Sequence, residues 1–562
     1  MRKVLATGVA VMALMGGAAW AAPTSNGEPA KGGPAGIDGQ LFSDHIKVLA
    51  SDAFEGRGPD TPGEAKSIAY IAEAFKKAGL APAGDNGSWM QAVPLRRFET
   101  PGEIKVGFTE NGRARPLTEL QDIVVHTQVP TDHVTVKNAP LVFIGYGVDA
   151  PERHWDDFKG VDIKGKIAVV LINDPDIEMD PKNPLFGRFD GKSMTYYGRW
   201  TYKYAEAAKR GALGLLIVHE TGPAAYGWNT VKNSNGNAQF DIVRPDPAAI
   251  HPKVEGWIQR DVAVQLFKSA GLDFEAEKKR AQTEGFRPVE LKGAAFSADY
   301  AVKTSVITSH NVIGKLVGAK HPDEAVLYGA HWDHLGVGQP DAKGDKIYNG
   351  AEDNASGVAG LLELARLFGK APKTERSVYF IGFTAEEKGL LGSEYYGTHP
   401  VVPLAKTVAL LNLDGVQVNG PTHDLSSHGV GNSTLDDLMG VYAKKQGREF
   451  KPDPMLEEGH FYRADHFSLA KVGVPALTLE AGIDMDKGGV AAGQKLHQDY
   501  VKYHYHQPAD EWSPNWDMAG AVKDLTLYYD LGRDLANSRD WPTWKPGSEF
   551  KAIRDKTAAA RK

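Results

Sequence analysis

Side chains that can bind metal ions follow several apolar runs in the second half of this sequence. Three of these runs, AVLYGA, YFIGFTA and VALLNL, have the length and character of buried strands. The carboxyl ends of strands in an open α/β sheet meet at one edge, so residues that are distant in sequence can converge there. The metal-competent residues at or near such ends are His331, Asp333, Asp353, Glu386, Glu387, Asp414 and His506.

A cluster of carboxylates at one edge of a sheet needs positive charge nearby, because a buried carboxylate without a counter-charge is costly. A pair of divalent metal ions would supply that charge. Imidazole and carboxylate ligands without sulfur favour two zinc ions per chain, with Co²⁺ or Mn²⁺ as substitutes.

Each of these residues also has an ordinary structural interpretation. A single histidine after a strand is usually structural, and an acidic pair is usually solvated. Asp353 could simply cap the helix that starts near Ser356. The recurrence of metal-competent residues at successive strand and helix ends is what favours a metal site.

Composition excludes several other kinds of chemistry. The 562-residue chain has no cysteine, so it can form no disulfide, thiol nucleophile or thiolate metal site. Its net charge of −7 argues against a nucleic-acid partner, which would need a basic face. No feature of the sequence predicts an oligomeric state.

Residues 1–22 have the pattern of a secretory signal peptide. A basic start at Arg2 and Lys3 precedes a short apolar stretch and then small residues. We expect cleavage after Ala21 or Ala22, a bacterial periplasmic or secreted location, and no membrane anchor once the signal is removed.

The pattern of strand-like and helix-like runs changes along the mature chain and predicts two domains. Strand-like runs separated by turn residues indicate a β-rich module, whereas alternating strands and helices after it indicate a largely parallel sheet. The segment NPLFGRFDGKSMTYYGRW within the module is either an ordinary loop or one that reaches over a neighbouring active site. The expected divisions are a flexible leader (23–39), a first part of the main domain (40–133), the β-rich module (134–295), the second part of the main domain (296–540) and a polar tail (541–562).

In this order the motifs resemble the co-catalytic two-zinc aminopeptidases, in the form that carries a protease-associated (PA) domain insert. The resemblance extends from LASDAFEGRG to YHQPADEW. It implies a three-layer α/β/α zinc-peptidase domain with a central mixed, mostly parallel sheet, a PA domain at 134–295, and peptide substrates. The matching motifs are His331-x-Asp333, Asp353-Asn354-x-Ser356-Gly357, Glu386-Glu387, Asn412-x-Asp414 and Tyr505-His506-x-Pro508-x-Asp510.

Carried over by position, the resemblance assigns five metal ligands. Asp353 would bridge the two ions, His331 and Asp414 would complete one site, and Glu387 and His506 would complete the other. The peptide bond after the bridging aspartate tends to be cis in this family. His334 is then expected to be structural or outside the metal shell, and Trp332 to pack against a neighbouring helix.

The resemblance also implies roles beyond the ligands. Glu386 would be the general base, pointing away from Glu387 because consecutive side chains alternate in extended backbone. Asp333 would hydrogen-bond His331, and Tyr505 would donate to the oxyanion. Arg463 would hold the substrate backbone or form a surface salt bridge. The residue after Arg463, Ala464, stands where the family usually has serine, and the following Asp465 and His466 are expected to play supporting roles.

We therefore expect an exported zinc aminopeptidase, with three alternatives left open. These are a carboxypeptidase acting on acidic dipeptide-like substrates, a glutaminyl cyclase with a single zinc ion, and a catalytically inactive binding relative like the transferrin receptor. Serine hydrolysis is disfavoured because G-x-S-x-G is absent, and H-E-x-x-H is absent as well.

Overall fold

The protein is described here by a computed structural model covering residues 36–429 and 431–561. The expected signal peptide and most of the expected leader lie outside the described residues. Within the described ranges, no helix is long and apolar enough to cross a membrane.

The larger of the two main sheets has ten strands of mixed direction. Its centre is parallel, and its edges are mainly antiparallel, so the expected mostly parallel sheet is found only around the central strands. The central strands, in spatial order, are Arg376–Phe383, His321–His331, Thr407–Leu413 and Ala476–Ala481. The outer strands are Gln239–Ile242, Met90–Glu99, Lys303–Leu316 and the short Ala81–Pro82 on one side, and Asp424–Ser427 and Glu449–Phe450 on the other.

Helices cover both faces of this sheet because its central strands are apolar on both faces. All of Arg376–Phe383 and Thr407–Leu413 is buried, as their near-continuous apolar sequences require. One face packs against the helices Gly39–Leu49, Pro62–Lys77, Gly357–Lys370, Thr434–Lys445 and Ala519–Asn537. The other face packs against Leu391–Thr398 and His466–Lys471.

The helix Pro62–Lys77 shows how the local sequence sets these elements. The Thr61 hydroxyl accepts a hydrogen bond from Gly63 N–H, and Pro62 occupies the first turn, where its missing N–H costs nothing. Gly79 follows the end of the helix at φ 83°. The buried side of this helix carries Ile71 and Phe75, which pack into the core of the larger sheet.

The second sheet has eight strands and its own core. It draws on strands from residue 105 onward, earlier than the expected start of the β-rich module at 134. In spatial order its strands are Arg113–Leu117, Lys105–Glu110, Val289–Ala301, His133–Phe143, Ile167–Leu171, Gly214–His219, Val254–Gln259 and Ile123–His126. Its helices are Trp200–Lys209, Thr221–Ala224, Trp228–Asn235, Arg260–Ser269 and Phe274–Ala281.

The unit around the ten-stranded sheet (the larger unit) and the unit around the eight-stranded sheet (the smaller unit) are joined at more points than where the chain passes from one to the other. The strand Gln239–Ile242 lies within the span of the smaller unit, yet it pairs with Met90–Glu99 at the edge of the larger sheet. The expected polar tail is packed rather than frayed, since Trp544 and Phe550 are buried before the short helix Lys551–Asp555. The helix Gly489–Tyr503 buries only Gly493 and lies along the cleft described below.

Candidate metal centre and active-site cleft

The carboxyl ends of three central strands bring the expected ligands together. His331 is the last residue of its strand, and Asp414 directly follows Thr407–Leu413. In the strand register, His331 lies opposite Phe383. Because the three strand ends are level, their side chains share one edge of the sheet.

One group of potential ligands surrounds His331. Its Nε2 lies 3.1 Å from Asp414 Oδ1 and 3.4 Å from Asp353 Oδ1. The imidazole is buried, and its Nδ1 lies 3.1 Å from the backbone carbonyl of Asp333. A carbonyl can only accept, so Nδ1 carries the proton and Nε2 faces the carboxylates. The Asp353–Asn354 peptide bond is cis, as the resemblance implied.

A second group forms on the other oxygen of Asp353. His506 Nε2 lies 3.3 Å from Asp353 Oδ2 and 3.0 Å from Glu387 Oε2. Ligand atoms around a tetrahedral zinc with bonds of 2.0–2.1 Å would be about 3.3 Å apart. The separations in both groups therefore fit two zinc ions that share Asp353.

His334 also reaches the second group. Its Nδ1 lies 2.5 Å from Glu387 Oε1, and His334, Asp353 and Glu387 are close enough to hold an ion. The contact uses the oxygen of Glu387 opposite to the one that faces His506. His334 thus orients the Glu387 carboxylate from behind while leaving Oε2 directed at Asp353 and His506.

The carboxylates of the centre favour positive charge close to them. Although burial acts to lower it, the carboxylates of Glu386, Asp353 and Asp414 raise the pKa of His331 well above its usual value. Burial likewise opposes protonation of His506, but Glu387 and Asp353 raise its pKa to about 9. Protons thus compensate the carboxylates in this structure, and bound metal ions would take over that role.

The Asp333 carboxylate has a different partner from the one expected. It lies 3.8 Å from His331 Nδ1, whose hydrogen-bond acceptor is instead the Asp333 backbone carbonyl. The carboxylate oxygens accept from the backbone N–H groups of Glu386 at 3.0 Å and Glu387 at 3.4 Å. Asp333 therefore holds the turn that carries the two glutamates.

Glu386 and Glu387 do diverge, but not through strand alternation. They lie in a short 3₁₀ turn, Glu386–Lys388, entered through Ala385 at φ 52°. Glu386 Oε2 is 3.9 Å from His331 Nε2, on the side away from the His506 group. Burial raises the pKa of Glu386 well above its usual value. The turn therefore leaves one carboxylate for a metal ion and the other facing the cleft.

Tyr505 and Arg463 form one unit beside the second group. Arg463 Nη2 donates to Tyr505 Oη at 2.8 Å, and Nη1 donates to the backbone carbonyl of Glu458 at 3.3 Å. The Tyr505 ring packs on that of His506 with centroids 4.0 Å apart. Arg463 also lies over the ring of Tyr226. These contacts replace the surface salt bridge that was considered for Arg463.

A cleft of about 610 Å³ opens onto the centre, and both units line it. The smaller unit contributes Tyr196, Arg199 and Tyr226, opposite Glu386 and Asp414 of the larger unit. The aromatic segment that ends in YYGRW is therefore a loop that reaches the active site.

Two supporting residues have no role in the expectations drawn from the sequence. Asp510 accepts from the backbone N–H groups of Glu352 at 3.0 Å and Asp353 at 3.1 Å. Arg57 is fully buried and donates to four backbone carbonyls around the site. In the sequence, the flanking glycines at 56 and 58 are the one local feature that marks Arg57 as closely packed. A side chain at Gly56 would collide with the backbone of Gly336.

The fold and these donor groups define an α/β protein with a candidate two-metal centre. Residues 311–530 match the family model of Peptidase family M28.

Similar proteins agree with this assignment. Aminopeptidase YwaD of Bacillus subtilis (strain 168) is 40% identical over 363 residues, which cover 63% of this chain and 57% of YwaD. Aminopeptidase NAALADL1 of Mus musculus is 36% identical over 142 residues, covering 23% of this chain and 17% of that protein. The chain thus aligns with less than two thirds of the length of these relatives.

A solved structure shows the same fold over most of the chain. The aminopeptidase from Aneurinibacillus sp. strain AM-1 has a TM-score of 0.51 and 20% identity, covering 89% of this chain and 93% of that one. This likeness shows the fold, and the family match and the relative YwaD support the resemblance to the zinc aminopeptidases stated from the sequence.

Proposed function

We propose that this protein is a zinc-dependent aminopeptidase that binds two metal ions and releases N-terminal residues from peptides. The observation that carries the proposal is the pair of imidazoles, His331 and His506, that face opposite oxygens of Asp353 beside the carboxyl group of Glu386. The names of the relatives YwaD and NAALADL1, both aminopeptidases, support the direction of cleavage.

The metal sites would each have three protein ligands. His331, Asp353 and Asp414 would hold one ion, and Asp353, Glu387 and His506 the other. When bound, the ions supply Lewis-acid polarisation of the scissile carbonyl and neutralise the carboxylates around them.

Glu386 would move the proton. Its carboxylate lies at the cleft, 3.9 Å from His331 Nε2, where it can accept a proton from the attacking water and deliver it to the leaving amine. The Asp333 carboxylate fixes the backbone on which Glu386 sits, so the position of the base depends on the strand that ends at His331.

Tyr505 would stabilise the developing oxyanion. Burial raises the pKa of Tyr505 further above its ordinary value, so its hydroxyl remains a donor at neutral pH. Arg463 donates to the same oxygen and thereby strengthens it as a donor toward the substrate carbonyl.

A glutamate variant tests the role of the base. Glu386→Ala should abolish hydrolysis of aminoacyl nitroanilides while both zinc ions remain bound in metal analysis. Glu375→Ala is the matched control, because Glu375 is partly exposed and precedes the opposite end of the same strand, and it should keep full activity. An active Glu386→Ala enzyme contradicts the assignment of the base.

A carboxypeptidase is the second candidate, and Arg199 favours it. Arg199 lines the cleft near Arg463, and its buried Nε has no hydrogen-bond partner among the described residues. A guanidinium in that position suits a substrate carboxylate. Cleavage of N-blocked peptides with a free carboxylate, in preference to aminoacyl nitroanilides, would establish this candidate over the aminopeptidase.

Metal analysis separates the remaining alternatives. A glutaminyl cyclase would be fully active with one tightly bound zinc ion, and an inactive binding relative would hydrolyse neither substrate. Both ligand groups are complete in this chain, which favours a hydrolase with two ions.

The smaller unit and the location of the protein complete the proposal. The β-rich unit around the eight-stranded sheet would be the PA domain insert of the family. Export through the N-terminal signal would place the enzyme in the periplasm or outside the cell, where mass spectrometry of the mature N-terminus would locate the cleavage site.

A further inference from the structure

The smaller unit contacts the metal centre at one point of the second ligand group. The helix Trp228–Asn235 ends beside His506, which lies on the opposite unit. Ser234 Oγ is 2.8 Å from His506 Nδ1, and Asn233 Nδ2 donates to the His506 backbone carbonyl at 2.9 Å. Both the ring and the backbone of this one residue are therefore held by the smaller unit.

The Ser234 contact can support the ring tautomer that leaves Nε2 available to a metal ion. An imidazole that binds a metal ion through Nε2 must carry its proton on Nδ1, and an acceptor on Nδ1 stabilises that tautomer. For His331 the acceptor is the carbonyl of Asp333, on the same chain segment. For His506 the hydroxyl of Ser234, which comes from the other unit, can accept from Nδ1–H in the same way.

The Asn233 contact holds the backbone of His506. His506 has φ 55°, in the left-handed region that costs a non-glycine residue energy. Asn233 is buried, so its amide is a fixed donor to the carbonyl of that residue. The hydrogen bond helps to hold a conformation that His506 would otherwise leave.

The helix that presents these residues is itself anchored to the larger sheet. Gln239 Nε2 donates to the backbone carbonyls of Ser234 at 3.1 Å and Asn237 at 2.9 Å, closing the end of the helix. Gln239 is also the first residue of the strand Gln239–Ile242, which pairs with the larger sheet. Ser234 is thus placed by the same sheet that carries the metal ligands.

We propose that Ser234 and Asn233 are positioning residues for the metal site of Glu387 and His506. The proposal rests on the proposed two-metal function, because it needs His506 as a ligand. It gives the smaller unit a second role beside lining the cleft: that unit supplies the tautomer-setting acceptor for one of the two sites.

The test measures each metal site separately. Zinc affinity is determined by chelator competition, and the visible absorption of the Co²⁺-loaded protein reports the coordination geometry. We expect Ser234→Ala to lower the affinity for one of the two zinc ions about 10- to 100-fold, with the affinity for the other unchanged and the Co²⁺ spectrum altered. Ser234→Thr, which keeps a hydroxyl, should restore both.

Ser269→Ala is the matched control, because the Ser269 hydroxyl donates to Leu266 O within the smaller unit and is not among the residues that line the cleft. Unchanged affinities in Ser234→Ala, or an equal loss at both sites that Ser234→Thr does not restore, would overturn the proposal. Failure of the two-metal function itself is seen separately, as wild-type protein that binds a single ion with full activity.

Discussion

Replacing Arg57 by lysine tests how the ligand loops are held. The guanidinium donates to Leu49 O at 3.0 Å and Trp332 O at 2.9 Å, and to Asn349 O at 2.6 Å and Gly350 O at 2.8 Å. The segment ending at Trp332 carries His331, and the turn after Gly350 carries Asp353. Arg57 therefore ties two ligand-bearing segments to the end of the first helix.

The size of the effect follows from the geometry of the two side chains. A lysine ammonium has three donors on a single nitrogen and cannot span the four carbonyls as the planar fork of arginine does, so we expect about two of them to lose their partner. Each buried carbonyl left unpaired costs about 1–3 kcal/mol. We therefore expect Arg57→Lys to destabilise the larger unit by about 3–5 kcal/mol, a large part of the stability of a typical domain.

Charge is retained in this variant, which isolates the hydrogen bonding. Burial lowers the pKa of Arg57 to about 10 even though Asp353, Asp510 and Asp333 act to raise it, so the group is cationic at pH 7. A lysine at this position sits beside the same carboxylates.

Urea unfolding, followed by zinc release to a chelating dye, is the appropriate assay because it reports the unit that holds the metal. Arg97→Lys is the control: its side chain pairs with Asp60 and Glu99 at the surface, and the loss should be below about 1 kcal/mol. A variant Arg57→Lys within 1 kcal/mol of the wild type would refute the reasoning.

Three further predictions concern single contacts. Asp333→Ala should lower turnover and zinc affinity about 10- to 100-fold, measured by steady-state kinetics and chelator competition, because the glutamate turn loses its acceptor. Tyr505→Phe should lower kcat about 100-fold with two zinc ions still bound, and unchanged kcat would remove Tyr505 from the mechanism. Burial opposes protonation of His251, but Glu255 and Asp241 raise its pKa to about 10. Protonated His251 therefore stabilises the folded protein fully below pH 6.5, and this stabilisation is lost as pH rises toward 10. Unfolding free energy should accordingly fall from pH 7 to pH 10 by at most about 5 kcal/mol, and His251→Gln should remove that slope.

The convergence of the expected ligands was predictable because their signal is local. His331 and Asp414 directly follow continuous apolar strands, and such strands are recognisable from a few consecutive residues. The roles of Asp333 and Glu386 were harder to predict, since they depend on a turn conformation at Ala385 that no local sequence pattern indicates.

Contacts that join distant segments were not predictable from local patterns. Arg57 and Trp332 are 275 positions apart, and Ser234 and His506 are 272 apart. The earlier start of the smaller unit has a similar cause. Its first strands, Lys105–Glu110 and Arg113–Leu117, are partly exposed and take their identity from partners far along the chain.

A chain of buried and partly buried ion pairs fixes the smaller unit against the larger one. Asp241, on the edge strand of the larger sheet, lies 3.4 Å from His251 Nε2, and His251 Nδ1 lies 2.8 Å from Glu255 in the smaller sheet. Asp241 also accepts from Arg244, whose Nη1 lies 2.8 Å from Glu394 of the larger unit. Separating the units would leave these buried charges unpaired, at a cost of several kcal/mol.

This connection explains why the smaller unit can be part of the active site. Ser234 can set the tautomer of His506 only if the two units keep a fixed distance, and the Asp241 and His251 contacts lie along the same boundary. Under the proposed function, a peptide would enter a cleft whose walls are already in place. Side chains of both units would determine its selectivity, with Arg199 and Tyr226 from one unit and Arg463 and Tyr505 from the other.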